Sequence, residues 1–151
     1  MINIVSIVGA SGFIGREVVD YFIENKIIVK ILIDSQSKLL NLKKSDYIIC
    51  YEKSPLDEDI PIEFFESDAL INCFGSINGI SSIYRNNILV PQNLINQGFK
   101  KIKKIIQISS VSVYDFEDNL DIIDENSKIS PQNIYELSKA ISETIILNLT
   151  E

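Results

Sequence analysis

Tyr135 and Lys139 stand four residues apart in "SPQNIYELSKAISETII", residues 130–146. On a helix, side chains at i and i+4 are surface neighbours, so a phenol and an ammonium would lie one above the other. With Ile134, Leu137, Ile141 and Ile145 as the apolar stripe, the pair falls roughly 100–140° around the helix from Ile134. That position flanks the predicted buried face, where a half-buried titratable pair belongs. Alone, such a spacing is compatible with any amphipathic helix. It gains weight because the 151-residue chain contains no histidine. Ser-His-Asp and Cys-His chemistry are thereby excluded, along with the commonest transition-metal ligand. Acid–base work would fall to Tyr, Lys, Asp or Glu.

A second group of residues lies at the other end of the chain. The apolar run "INIVSIV" (2–8) leads directly into "GASGFIG" (9–15). Gly9 permits a tight turn out of a strand, Gly12 lets backbone approach a diphosphate, and Gly15 allows a helix to pack closely on the strand. The helix that follows would present free N–H groups and the positive end of its dipole to phosphates. Ser11, Phe13 and Ile14 complete this predicted cofactor turn. Asp34 ends the next apolar run, 25 residues after Gly9, where a carboxylate can accept from both ribose hydroxyls and would repel a 2′-phosphate. The pattern therefore predicts a dinucleotide site that takes NAD rather than NADP.

The elements that must position these groups follow from hydrophobic periodicity. Strands are predicted at 2–8, 27–34, 47–51, 68–74 and 104–110. Helices are predicted after the glycine turn, over 80–98 with Ile83, Leu89 and Leu94 inward and Gly98 at the C-terminus, and over 131–149 with Ser130 as N-cap and Pro131 in the first turn. Strand–helix alternation with continuous apolar strands predicts an α/β fold, a doubly wound parallel sheet of order 3-2-1-4-5. The acidic stretch 115–130 reads as a surface loop. The length suits one domain spanning 1–151, large enough to bury roughly 68–70% of its unfolded surface.

Composition narrows the partners. A net charge of −7 argues against a nucleic-acid footprint, which needs clustered Lys and Arg. The run "KKIKK" (100–104) reads as a solvated turn. Cys50 and Cys73 each sit in an apolar run and read as buried hydrophobes, not as a disulfide or zinc ligands. No signal peptide precedes the first strand and no apolar run reaches membrane-spanning length, so a cytoplasmic protein without a membrane partner is expected.

Taken together, the ordered segments resemble the extended branch of the short-chain dehydrogenase/reductase family, the nucleotide-sugar epimerase/dehydratase type. "GASGFIG" is similar to its glycine signature and "DALINCFG" to its fourth-strand segment. "NNILVPQNLI" resembles "NVxGTxNLL", with Asn87 and Asn93 at matching positions. "IIQISSVSVY" resembles the strand running into "SSxxVYG", and "YELSK" matches "YxxxK". Departures are Phe74 in place of a small residue, Val90-Pro91 in place of Gly-Thr, Asp115 in place of Gly, and no evident "DxxD" in "YEKSPLDED".

The resemblance implies roles. Tyr135 would exchange a proton with a substrate hydroxyl, and a neighbouring ammonium would bring its phenol, ordinarily near pKa 10, toward the working range. Lys139 would hold the cofactor ribose, and Ser110, four residues before Tyr114, would bond the substrate oxygen. Phe74, Gly75 and Asn87 would border the cofactor. Family members are typically about twice as long and carry a C-terminal domain that grips the sugar nucleotide, so the resemblance covers the cofactor half only. Three roles follow: a fragment of such an enzyme, one subunit of a split enzyme whose second chain supplies the substrate domain, or a non-catalytic dinucleotide-binding or interaction module. The family's dimer mode implies a homodimer through helices 80–98 and 131–149.

Overall fold

In a computed structural model of the chain, the described residues are 2–35, 42–98, 101–115 and 122–148. Runs rich in Ile and Val supply five strands, as expected of β-branched residues on a pleated, buried surface. These are β1 (Ile4–Val8), β2 (Ile28–Ile33), β3 (Ile48–Glu52), β4 (Ala69–Asn72) and β5 (Ile105–Gln107). All pair in parallel, in the order β3-β2-β1-β4-β5, as the sequence predicts. The helices are α1 (Phe13–Glu24), the single turn α2 (Ile62–Phe65), α3 (Ile80–Ile83), α4 (Val90–Gly98) and α5 (Ile134–Leu147).

Because strand side chains alternate between faces, the sheet builds two cores. Val5, Ile7, Val29, Ile31 and Ile71 pack with Val19 and Ile23 of α1. Val8, Leu32 and Leu70 pack on the other face with Phe64, Phe65, Val90 and Leu94. Ser6 and Lys30 stand in that second layer. Ser6 Oγ donates to the Phe64 carbonyl, and Lys30 Nζ donates to those of Glu63 and Glu66. The single turn α2 is thus held by donors reaching up from the sheet, a device the hydrophobic pattern did not reveal.

A π-helical turn, Tyr84–Leu89, joins α3 to α4. Pro91 follows it, and proline can donate no hydrogen bond back to the residue four before it, the usual cause of a wider turn at such a point. Gly98 is required where α4 ends, because a Cβ there would lie 2.2 Å from the Phe65 ring.

Several sequence expectations are corrected by the structure. The fourth strand stops at Asn72, whose Oδ1 accepts from Phe74 N at 3.0 Å and turns the chain out of the sheet. The last helix begins at Ile134 instead of 131. Asn133 is its cap, accepting from Glu136 N at 3.0 Å, while Ser130 N donates to the Val113 carbonyl. Its apolar stripe is also misplaced. Ile134 and Leu137 are 47% and 49% exposed, whereas Ser138, Lys139, Ser142 and Ile146 face inward. Cys50 is exposed on the edge strand β3, not buried, and Cys73 is half-buried; both thiols are free. The lysine run is an exposed turn over its described residues, 101–104, as expected, with ion pairs from Lys101 to Glu66 at 2.8 Å and from Lys103 to Asp68 at 3.0 Å. Within the predicted acidic loop, residues 116–121 lie outside the described residues.

Candidate functional site

The strand order reverses between β1 and β4, and in an open parallel sheet the crevice outside the strand ends at that point is where ligands bind. Both strands leave the sheet there. Gly9 takes φ +79°, and a Cβ on it would lie 2.7 Å from Phe74 N, so the turn requires glycine. Gly15 is equally constrained, since its Cβ would meet the Gly9 carbonyl oxygen at 2.1 Å. Gly12 differs. It is exposed, has extended backbone (φ −75°, ψ 175°) and stands immediately before α1. Its amide donates to the Gly9 carbonyl at 3.0 Å. Among the described residues, nothing accepts from the amides of Phe13 and Ile14, whose side chains are 83% and 45% exposed. A turn without a side chain at Gly12 and with unclaimed N–H groups at the N-terminus of a 12-residue helix fits a phosphate group.

One end of this crevice is lined by Gly9, Ser11, Leu32, Ile33, Asp34, Pro55 and Phe74, which enclose about 20 Å³. Four sequence-predicted residues therefore converge there, Asp34 exposed at the end of β2. The Pro55 wall is positioned from α4: Asn93 Nδ2 donates to the carbonyls of Pro55 and Asp57, each at 2.9 Å. The cleft is narrow.

The other end is built by Gly75, Asn87 and Lys139. A Cβ on Gly75 would stand 3.0 Å from Asn87 Oδ1 and 3.3 Å from Lys139 Nζ. Asn87, on the π turn, is buried and fully bonded: Oδ1 accepts from Ser76 N at 2.8 Å, and Nδ2 donates to the Ser76 carbonyl and to Ser138 Oγ, each at 2.9 Å. Ser138 was not singled out by sequence reasoning. A serine on the inner face of an apolar helix, three residues after Tyr135, is the signal that would have found it.

Lys139 is 6% exposed. It spends one N–H on the Ile108 carbonyl, at 2.9 Å; an ammonium has three donors. Burial holds its pKa below the ordinary lysine value, with the Glu143 carboxylate and the Cys73 thiol acting in the opposite sense. The same burial pushes Cys73 up to about 11. Tyr135 lies one helical turn earlier and is half-buried; among the described residues its hydroxyl has no hydrogen-bond partner. Ser110 does not bond to it. Ser110 Oγ instead pairs with Ser112 Oγ at 2.8 Å and caps the 3₁₀ turn Val111–Val113. Ser109, the preceding residue, donates to the Glu143 carboxylate.

The chain is matched by a family model. The model of the NAD dependent epimerase/dehydratase family covers residues 5–151. The chain belongs to that family. A Methanocaldococcus jannaschii protein provisionally named a UDP-glucose 4-epimerase is 30% identical over 148 residues, which is 93% of this chain and 48% of that protein. Among solved structures, the Bacillus cereus UDP-glucuronic acid 4-epimerase in complex with UDP-glucuronic acid and NAD superposes with a TM-score of 0.82. It is 20% identical, with 97% of this chain and 52% of that one covered. The Bordetella bronchiseptica enzyme WbmH in complex with NAD+ gives 0.85 at 16% identity, with 99% and 53% covered. The family's fold is shared, and the chain spans about half the length of these relatives. Among the described residues there is no cluster of His, Cys, Asp or Glu able to hold a metal ion, and no helix long and apolar enough to cross a membrane.

Proposed function

We propose that this chain is the dinucleotide-binding part of a nucleotide-sugar epimerase/dehydratase and takes NAD in preference to NADP. The observation that carries the reading is the Gly9–Gly15 turn at the strand-order reversal, with unclaimed amides at the N-terminus of α1. Those amides would receive the diphosphate. Asp34 would accept from the adenosine ribose hydroxyls and repel a 2′-phosphate. The two remaining N–H groups of Lys139 would hold the nicotinamide ribose. NAD would supply hydride acceptance and return. Tyr135 would exchange a proton with the substrate hydroxyl, and Ser110, released from Ser112, would bond the substrate oxygen. The substrate class is a nucleotide-linked sugar, in keeping with the family and with the ligand bound by the Bacillus cereus enzyme. We further propose that the chain forms a homodimer through α3–α4 and α5, which leave Ile83, Ile88, Ile134, Leu137 and Ile141 lining an apolar groove of about 160 Å³.

Calorimetric titration with NAD and NADP tests the cofactor reading. Gly12→Val keeps an allowed backbone but places an isopropyl group over the turn, and it should abolish binding while the thermal unfolding temperature falls only modestly, the new Cβ lying 3.2 Å from the Gly9 carbonyl oxygen. Asp34→Ala should weaken NAD by about tenfold, the loss of one charge-assisted bond, and should narrow the gap between NAD and NADP. Undiminished NAD binding by Gly12→Val would overturn the proposal.

A further inference from the structure

Tyr135, Lys139 and Glu143 follow one another at intervals of four along α5, and the last of them has no part in the reading above. Lys139 Nζ donates to the Ile108 carbonyl. Glu143 accepts from the hydroxyl of Ser109, the next residue along. Ser110 follows directly and caps the turn after β5. Three consecutive residues at the end of β5 are therefore tied down, two of them to successive turns of one helix. We propose that Glu143 is a positioning residue: through Ser109 its carboxylate pins the end of β5 and so fixes where the Lys139 ammonium and Ser110 stand.

The geometry gives the carboxylate two effects. Glu143 and Ser109 both line a cleft of about 370 Å³ with Ser110 and Tyr114, so the pin lies beside the proposed substrate oxygen site. Its charge also bears on Lys139. Of the groups facing that ammonium, Glu143 comes from its own helix and Cys73 from the end of β4, both favouring the charged form against burial. The Ile108 carbonyl from β5 and the Asn87 carboxamide from the π turn are uncharged. Removing the carboxylate leaves burial less opposed, so the ammonium should lose its proton at lower pH.

The inference rests on the proposal that Lys139 meets the cofactor ribose, and two independent readouts separate the outcomes. The first is NAD affinity by calorimetry from about pH 6 to about pH 11, a range that spans lysine titration. Glu143→Ala and Ser109→Ala should each weaken NAD by about tenfold at neutral pH, as expected for a lost hydrogen bond to a charged group. Glu143→Gln keeps an acceptor oxygen for Ser109 without the charge, so it should bind normally at neutral pH and lose NAD at lower pH than the parent as the solution is made alkaline. The second readout needs no cofactor: the titration of Lys139 followed by ¹³C NMR of the Nζ-methylated protein, with Lys139→Arg identifying its signal. Its midpoint should fall in Glu143→Gln. If Lys139→Met abolishes NAD binding while all three variants behave as the parent in both readouts, Glu143 is merely structural and the cofactor proposal survives. If the parent or Lys139→Met contradicts the cofactor proposal, the Lys139 midpoint in Ser109→Ala decides: a shift with the Glu143 charge still in place sustains the inference, and a midpoint equal to that of the parent overturns it.

Discussion

At the scale of single residues, the glycines were the most legible feature because their constraint is steric and local. The positive φ of Gly9 and the contact distances at Gly15 leave no space for any other side chain. Ser110 and Tyr135 were located but not joined, because hydroxyl rotors take whichever partner is nearest, and for Ser110 that is Ser112. Phe74 stands where the resemblance leads to a small residue, and it lines the cleft with Asp34. The cleft of about 20 Å³ has room for about one water molecule, for which roughly 10–15 Å³ suffices. NAD binding there would need a wider cleft, and Phe74 is the bulkiest residue of its lining. Phe74→Ala should raise NAD affinity by about tenfold, a gain typical of relieving one obstructed contact; calorimetry showing equal or weaker binding would refute the obstruction. Tyr135→Phe is the complementary experiment. NAD affinity should be unchanged, while any hydride transfer with a nucleotide sugar, followed by NADH absorbance, should fall by at least about 10²-fold.

At the scale of elements, five strands and their order could be read directly, since parallel strands covered on both faces are continuous apolar runs and right-handed crossovers leave few topologies. The inward face of α5 could not. Apolar periodicity assumes a greasy interior, but this helix packs against Asn87, the Ile108 carbonyl and Ser109, so serines and a lysine turn inward while Ile134 and Leu137 turn outward. Strand ends follow the same principle: side chains such as Asn72 terminate them, and periodicity is blind to that. Asp68 ties three elements together, accepting from Asn3 N at 2.8 Å and Ile4 N at 3.2 Å and pairing with Lys103. The Asn3 amide, Lys103 and the Ile4 amide, in that order, pull its pKa down from 3.8 to about 2. A depressed carboxylate contributes stability that is present above its unfolded value and lost as the pH falls through the folded one. Asp68→Asn should therefore be less stable than the parent in urea at neutral pH. The difference should hold down to about pH 4 and shrink toward about pH 2; a gap that does not narrow would show that the clamp is not electrostatic.

For the whole molecule, the open question is what covers the isoleucine-rich face. Ile80, Tyr84, Ile134 and Leu137 are each about half exposed or more, and an apolar surface of this kind marks an interaction site. Light scattering at micromolar concentration should give a dimer, and Leu137→Glu should convert it to a monomer without lowering its affinity for NAD. A monomeric parent would refute the homodimer. The arrangement of the chain as a whole also depends on the amine that reaches across the second core. Sliding β2 by a single residue against β1 would carry Lys30 to the opposite layer, among Val5, Ile7, Val19 and Ile23, where no carbonyl waits for it. Stranding a cation in hydrocarbon is costly enough to disfavour that shifted pairing. The one lysine within the sheet thereby acts as an alignment key, and its removal should cost the fold certainty of register as well as strength.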